Sequence, residues 1–462
     1  MAEIFANEER FWGKTDSETI QNAVDFAEKT GAGRVIIPAE NTRTGETVWT
    51  IGETILLPDC MTVVVDDAHL RLMDNVRANI FRNRDCETEK ARTMAGEQHD
   101  IRIIGRGRAL LDGGNPNGDC EQNLRDHPGQ FPPMTVNFLI FLHNVRDFEI
   151  AGLQFIDSRY WAVSCYYCRF GRIADLDFKM YATLENQDGV DLRVGCEYIT
   201  IENITGITGD DTVALTALLG NARHFSVEGK EPHIHDITIR NIIASVHGCN
   251  IIRFLCADGI QEYNITVDGV KDTGLTVGGA AILFGSYVAS VHKFWRERPR
   301  AMGEFRNVVI RNVSSYAQKI LNFFEPVQDL FIENIYGHRG TEVGLMFSDD
   351  FACDNMTVEN VVFEGGDEKS DCVFSVSPKA LENMRDYTIR RVRARGAVKH
   401  IFRRAELPVE DFTYDEPTEG YFTEEAPQLA SAYGRYFRIA WGKEIVNRPK
   451  DNRYTSQTKE GK

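Results

Sequence analysis

The chain has 462 residues, of which 42% are hydrophobic and 26% charged, and its formal net charge is −17. That is ordinary globular composition with enough length for a large core, and the acidity sets nucleic acid and anionic membrane surfaces aside as partners. No apolar run approaches the ~18 residues a membrane span needs.

The N-terminal stretch MAEIFANEERFWGK has no basic segment followed by an apolar core, so no signal peptide is expected. The ten cysteines are scattered, too sparse for a disulfide scaffold. Cys165 and Cys168 form a lone C-x-x-C without a second pair. Buried free thiols in a reducing cytoplasm are the expectation.

The first predicted element is a helix over Thr15–Gly31. Thr15 and Glu18 have capping-box spacing, Ile20, Ala23, Val24 and Ala27 form one apolar face, and Gly31 is the stop. The strand RVIIP follows. Helical periodicity then gives way to a recurring I-x-I run, often followed by x-N-I or x-N-V. The second apolar residue of nine copies is Ile150, Ile173, Ile201, Ile239, Val267, Ile310, Ile332, Val358 and Ile389. The shortest step is from Ile310 to Ile332, so the base period is near 22 residues with insertions.

A strand-turn repeat of that period predicts a solenoid. Leucine-rich repeats would show helical halves, and propeller blades need a period about twice as long. The fold class that remains is all-β: a single right-handed parallel β-helix with an N-terminal capping helix. Asn suits its turns because it tolerates left-handed backbone and bonds its neighbours. Residues 1–400 are assigned to the β-helix and 401–462 to a C-terminal cap and tail. The stretches 218–232 and 286–300 become loops.

One coil is about 4.8 Å in space. Asp188 and Asp210 are therefore neighbours, one coil apart. Asp210 and Asp211 would point to opposite faces of a flat strand, so a bend is needed, and Gly209 permits it. Asp188, Asp210 and Asp211 are the candidate catalytic residues, because converging carboxylates are the working parts of glycosidic hydrolysis. Single N-x-D-G and G-D-D motifs are also ordinary turns. Writing Asp210–Leu215 above His247–Ile252 puts His247 at the same point of the rung as Asp210.

These residues resemble the polygalacturonases and related glycoside hydrolases, from roughly Thr15 to Ile389. The matching motifs are DSETIQNAVDFA with GRVIIP, IIGRGRALLDG, NVRDFEIAG leading to Trp161, Asn186-Gln187-Asp188-Gly189-Val190-Asp191, Gly209-Asp210-Asp211 and His247-Gly248. The resemblance implies an inverting mechanism. Asp210 would be the general acid, and Asp188 and Asp211 would share activation of water. Asn186, Asp191, His247, Arg253 and Trp161 would contact substrate, with no metal and no cofactor.

Two departures stand out. Gln187 replaces a small hydroxyl residue. The family's basic R-x-K motif, which grips a uronate carboxylate, is missing; GGAAILFG (278–285) stands there. Arg253 is a partial substitute, as are His292, Lys293, Arg296, Arg298 and Arg300 in one loop. The expected partner is an oligosaccharide attacked from one end, since a polymer cannot enter a cell intact. The alternatives are a β-helix lyase, a fructan-type transferase, or a carbohydrate-binding β-helix without turnover.

Overall fold

The structure is a computed structural model. It describes residues 3–415 apart from 121–122, 124–125, 128–133, 182–183, 185, 219, 277–278, 286–297, 299 and 367–369. The described chain divides into two compact units. The first runs to Asp210 and includes Arg223–Glu231. The second comprises Asp211–Ala222 and the residues from Pro232 onward.

The first unit opens with the helix Asp16–Thr30. Thr15 Oγ1 accepts the Glu18 N–H at 3.1 Å, and Glu18 Oε2 reaches back to the Lys14 N–H at 2.6 Å. Gly31 ends the helix with φ 67°, a conformation glycine adopts without a Cβ clash. Ile20, Ala23, Val24 and Ala27 are wholly buried.

Beyond the helix, parallel strands stack in register, coil upon coil. One column runs Val35, Val63, Ile103, Ile150, Ile173, Ile201. A second sheet stacks Ile55, Phe81, Ile140, Val163 and Val190. All eleven side chains are fully buried. Cys165 continues this interior, and Cys168 is buried with its thiol on the Leu142 and Tyr166 carbonyls. All ten cysteines are free thiols.

The second unit repeats the plan. Its column Ile239, Val267, Ile310, Ile332, Val358, Ile389 is paired in register throughout. The facing sheet stacks Leu215, Phe254, Phe284, Phe323 and Phe347, with ring centroids 5.4, 4.5 and 5.0 Å apart along the phenylalanines. Each such buried side chain contributes about 1.5–3 kcal/mol.

The nine repeat positions read from the sequence are thus the interior columns of both units. The x-N positions also behave as their chemistry demands. Asn203, Asn241, Asn312, Asn334 and Asn360 all have φ near +60°. Amides among them bond the preceding coil: Asn203 to Asp175 at 2.8 Å, and Asn334 to Asn312 and Asn360 to Asn334 at 3.1 Å. Pairing of this kind, with Cα-in-register parallel strands and short turns, is a parallel β-helix, and its crossovers are right-handed. The ladders continue past residue 400: His400–Arg403 pairs with Cys372–Val376, and Glu410–Asp415 pairs with Met384–Arg395. Residues 416–462 lie outside the described residues.

Candidate active site

In the first unit the long strand Glu197–Thr208 ends at a bend formed by Gly209 and Asp210. The Gln187 carbonyl accepts the N–H groups of Gly209 at 3.0 Å and Asp210 at 3.2 Å. Asp210 Oδ2 in turn accepts the Asn186 N–H at 3.2 Å. Asn186 has φ 58°, a turn conformation that Asn tolerates. The turn carrying Asn186, Gln187 and Asp188 is therefore the hydrogen-bonded neighbour of the turn carrying Asp210. Asp188 is anchored through its carbonyl, which accepts the Ala162 N–H at 3.0 Å. Burial is deep: Asp188 is 4% exposed and Asp210 8%.

Asp191 follows in the strand Val190–Arg193, beside Ser164 in register. Val190 and Leu192 continue the interior columns of Val163 and Cys165, so Asp191 and Arg193 take the other face. Trp161 is buried, stacked on Phe138 at 5.1 Å and tilted against Tyr160 at 5.0 Å. The Arg193 guanidinium covers the Trp161 ring at 4.4 Å, a cation–π contact. Burial pushes the neighbouring Tyr166 phenol up to about 12, with Arg193 opposing.

Gln187 is wholly buried and works as a staple. Its Oε1 accepts the Leu184 N–H at 2.9 Å, and its Nε2 donates to the Ser158 carbonyl at 2.7 Å. Gly209 lies so close that a Cβ there would sit 2.6 Å from Gln187 Cβ. Gln187 and Gly209 are thus fitted to each other.

In the second unit Asp211 is held from several sides. Its Oδ1 accepts the Asn250 N–H at 2.8 Å and the Asn250 Nδ2 at 2.9 Å. Arg253 Nη1 stands 3.5 Å from its Oδ2. These donors stabilise negative charge on a side chain only 1% exposed. His247 is half-buried, in the bend between Ile234–Val246 and Asn250–Cys256.

The register differs from the expectation by two residues. Val213 pairs with Ile252, not with Asn250. Asn250, not Gly248, consequently meets Asp211, and Cys249 takes the place expected for His247. The extra length is taken up at the bend, where Cys249 has φ 50°. Asn250 is a site residue that the sequence reading missed, as is Arg193. The signal for Asn250 was its place in HGCN, one coil beyond the acidic pair, but the register error hid it.

The basic substitutes fare unequally. Arg253 is committed to Asp211. On the next coil the strand Ala280–Phe284 pairs with Asn250–Cys256, setting Leu283 beside Arg253. Arg300 is wholly buried, 3.8 Å from Glu262, 3.6 Å from Glu325, and 4.6 Å over the Phe305 ring. It is a core group and not a surface cation, because its charge is compensated inside. Burial pushes Glu262 up to about 8 against the pull of Arg300. Arg298 is paired with Glu304. His292, Lys293 and Arg296 lie outside the described residues.

Comparison with known proteins adds to this geometry. Residues 64–233 match the family of glycosyl hydrolases family 28. A search of curated protein sequences gives no match. Among solved structures, the chain is similar to the Yersinia enterocolitica family 28 exopolygalacturonase, at 13% identity and TM-score 0.50 over 90% of this chain and 78% of that one. It is equally similar to a double mutant of the tailspike protein of E. coli bacteriophage HK620, at 12% identity and TM-score 0.52 over 83% and 68% of the two chains. A surface adhesin of Streptococcus pneumoniae gives 12% identity and TM-score 0.51 over 90% of each chain. At such identity these likenesses show the fold, a right-handed parallel β-helix, and fold alone does not select among an enzyme, a tailspike and an adhesin. The family match is more local: over the stretch that holds Trp161, Asn186, Asp188, Asp191, Asp210 and Asp211, the chain is similar to family 28 glycosyl hydrolases.

Proposed function

We propose that the chain is an inverting glycoside hydrolase of polygalacturonase type, acting in the cytoplasm on oligosaccharides and releasing product from one end. One observation carries this reading: the stretch that matches family 28 also contains the turn-on-turn contact between Asn186–Asp188 and Asp210. Asp210 donates the proton to the leaving oxygen. Asp188 and Asp211 orient the attacking water and take its proton, which places a new hydroxyl on the opposite face of the sugar ring. Asn250 and Arg253 support the charge on Asp211. Asn186, Asp191, His247 and Trp161 contribute to sugar recognition or its support.

Neutral sugars are favoured over uronates at the reacting ring. Arg253 is engaged with Asp211, and Leu283 is the side chain beside it on the next coil. The net charge of −17 also disfavours polyuronates. The test is a panel of synthetic neutral and uronic glycosides of both anomers, with the first-formed product anomer read by NMR. Hydrolysis of a neutral glycoside with inversion is expected. Retention of configuration, an unsaturated product, or binding without turnover overturns the reading.

A further inference from the structure

Eight of the ten cysteines are buried and Cys120 is half-buried, whereas Cys60 is exposed. It occupies a left-handed turn position, φ 58°, and Asp100 occupies another, φ 55°. The two turns belong to neighbouring strands, because Thr62 pairs with Arg102. Elsewhere such positions bring an amide against a carboxylate or another amide. Here they bring a thiol against a carboxylate, and His99 fills the space between them. His99 Nδ1 is 3.8 Å from Cys60 Sγ and 3.0 Å from Asp100 Oδ2. One donor atom from each residue lies within 4.8 Å of the other two.

We propose that Cys60, His99 and Asp100 form a binding site for a divalent cation of the zinc class, which staples two successive coils of the first unit. The donor set is thiolate, imidazole and carboxylate, the three ligand types zinc accepts. With Zn–S about 2.3 Å and Zn–N about 2.0–2.1 Å, a tetrahedral S···N edge is about 3.5 Å and an N···O edge about 3.3 Å. The observed separations are within about 0.3 Å of both, so small side-chain rotations complete the geometry. The surroundings orient the ligands. The Cys60 N–H donates to the His99 carbonyl at 3.0 Å. The His99 N–H donates to Asp59 Oδ1 at 2.8 Å. Arg102 Nη2 stands 3.5 Å from Asp100 Oδ1, which leaves Oδ2 for the cluster. Such outer contacts hold metal ligands in place. A groove of about 630 Å³ borders Asp59 and Cys60 and opens the thiol to solvent. Water would complete the coordination.

A histidine–aspartate hydrogen bond with an incidental thiol is the competing account, and the test separates the two. Tag-free, reduced, chelator-stripped full-length chain is titrated with Co²⁺ and then Zn²⁺. Expected are a thiolate-to-cobalt charge-transfer band with tetrahedral visible bands, saturating at one equivalent. Both are lost in Cys60→Ser and in His99→Ala. One equivalent of Zn²⁺ also slows alkylation of Cys60, located by peptide mass, about 10-fold or more, because the metal-bound thiolate is a poor nucleophile. Cobalt binding without a thiolate band, the same band in Cys60→Ser, or unchanged alkylation of Cys60 overturns the proposal.

Discussion

Gly209→Ala tests the geometry of the corner directly. Gly209 does not have a positive φ, so the added methyl brings no backbone strain of its own. Its cost is contact. The new Cβ would lie 2.6 Å from Gln187 Cβ, 2.7 Å from Gln187 Oε1 and 3.2 Å from the Leu184 carbonyl. Gln187 cannot swing away freely, since it is wholly buried and its amide is bonded at both ends. Overpacking of this kind costs about 1–3 kcal/mol, and losing one amide hydrogen bond adds about 1 kcal/mol. A total of about 2–4 kcal/mol follows, or a fall in Tm of roughly 5–10 °C. Separation of the two turns also displaces Asp210 from Asn186, and a misplacement near 1 Å costs on the order of 10²-fold in rate. The assay is a double-mutant cycle with Gln187→Ser, read by denaturation and by kcat on the best glycoside. The pair should recover part of both losses, because serine removes the amide oxygen that the methyl strikes and leaves only the Cβ contact, with a smaller side chain free to give way. The coupling should be at least about 1 kcal/mol. Additive effects, or a Gly209→Ala protein as stable as the parent, would refute the argument.

Asp210→Asn should lower turnover of natural glycosides by about 10²–10⁴-fold, and by much less for glycosides with good leaving groups. Asp188→Asn and Asp211→Asn should slow all substrates alike, and parallel kinetics across a leaving-group series check this. Asn334→Ala should destabilise the second unit by about 1–2 kcal/mol, because alanine resists left-handed backbone; Asn334→Gly should lose less, and urea melts compare them. Glu262 binds its proton more tightly folded than unfolded, so its contribution is full below the ordinary carboxylate range and is lost as pH rises through about 8. Across that window stability should fall with pH by at most about 1.4 kcal/mol per unit for this one proton. Glu262→Gln should flatten the slope, measured by denaturation between pH 5 and 9.

The columns were legible in the sequence because a β-helix imposes two constraints at once. Side chains alternate in and out along a strand, and the same position recurs one coil later. Ile310, Ile332 and Val358 satisfy both and could be placed without coordinates. The asparagines were legible for a related reason, since few residues fit a left-handed turn. The register of the acidic corner was not. Shifting a strand by two residues keeps every side chain on its own face, so the pattern cannot separate His247 from Cys249 opposite the acidic pair. The roles of Gln187 and Arg300 were hidden differently. Both act through contacts between loops of unequal length, which no period describes. Arg300 reads as a surface cation in SVHKFWRERPR, and only the positions of Glu262 and Glu325 reveal it as a core group.

Stability in a solenoid is close to a sum of nearest-neighbour terms. This has a consequence for where unusual chemistry can be tolerated. The regular columns carry most of the burial, and they do so in every coil. A corner such as Gly209–Asp210 breaks the pattern once, and its cost stays with the coils that touch it. Three buried carboxylates at Asp188, Asp191 and Asp210 would be a severe burden in a small single core, where like charges share one interior. Here each belongs to a different turn or strand, and each turn is tied to its neighbour by backbone hydrogen bonds. The same locality sets the expected pattern of damage. Variants at Gly209 or Gln187 should weaken the corner while the column from Ile310 to Ile389 keeps its own cooperativity. Variants at Asn334 should loosen that column and leave the carboxylates of the first unit untouched.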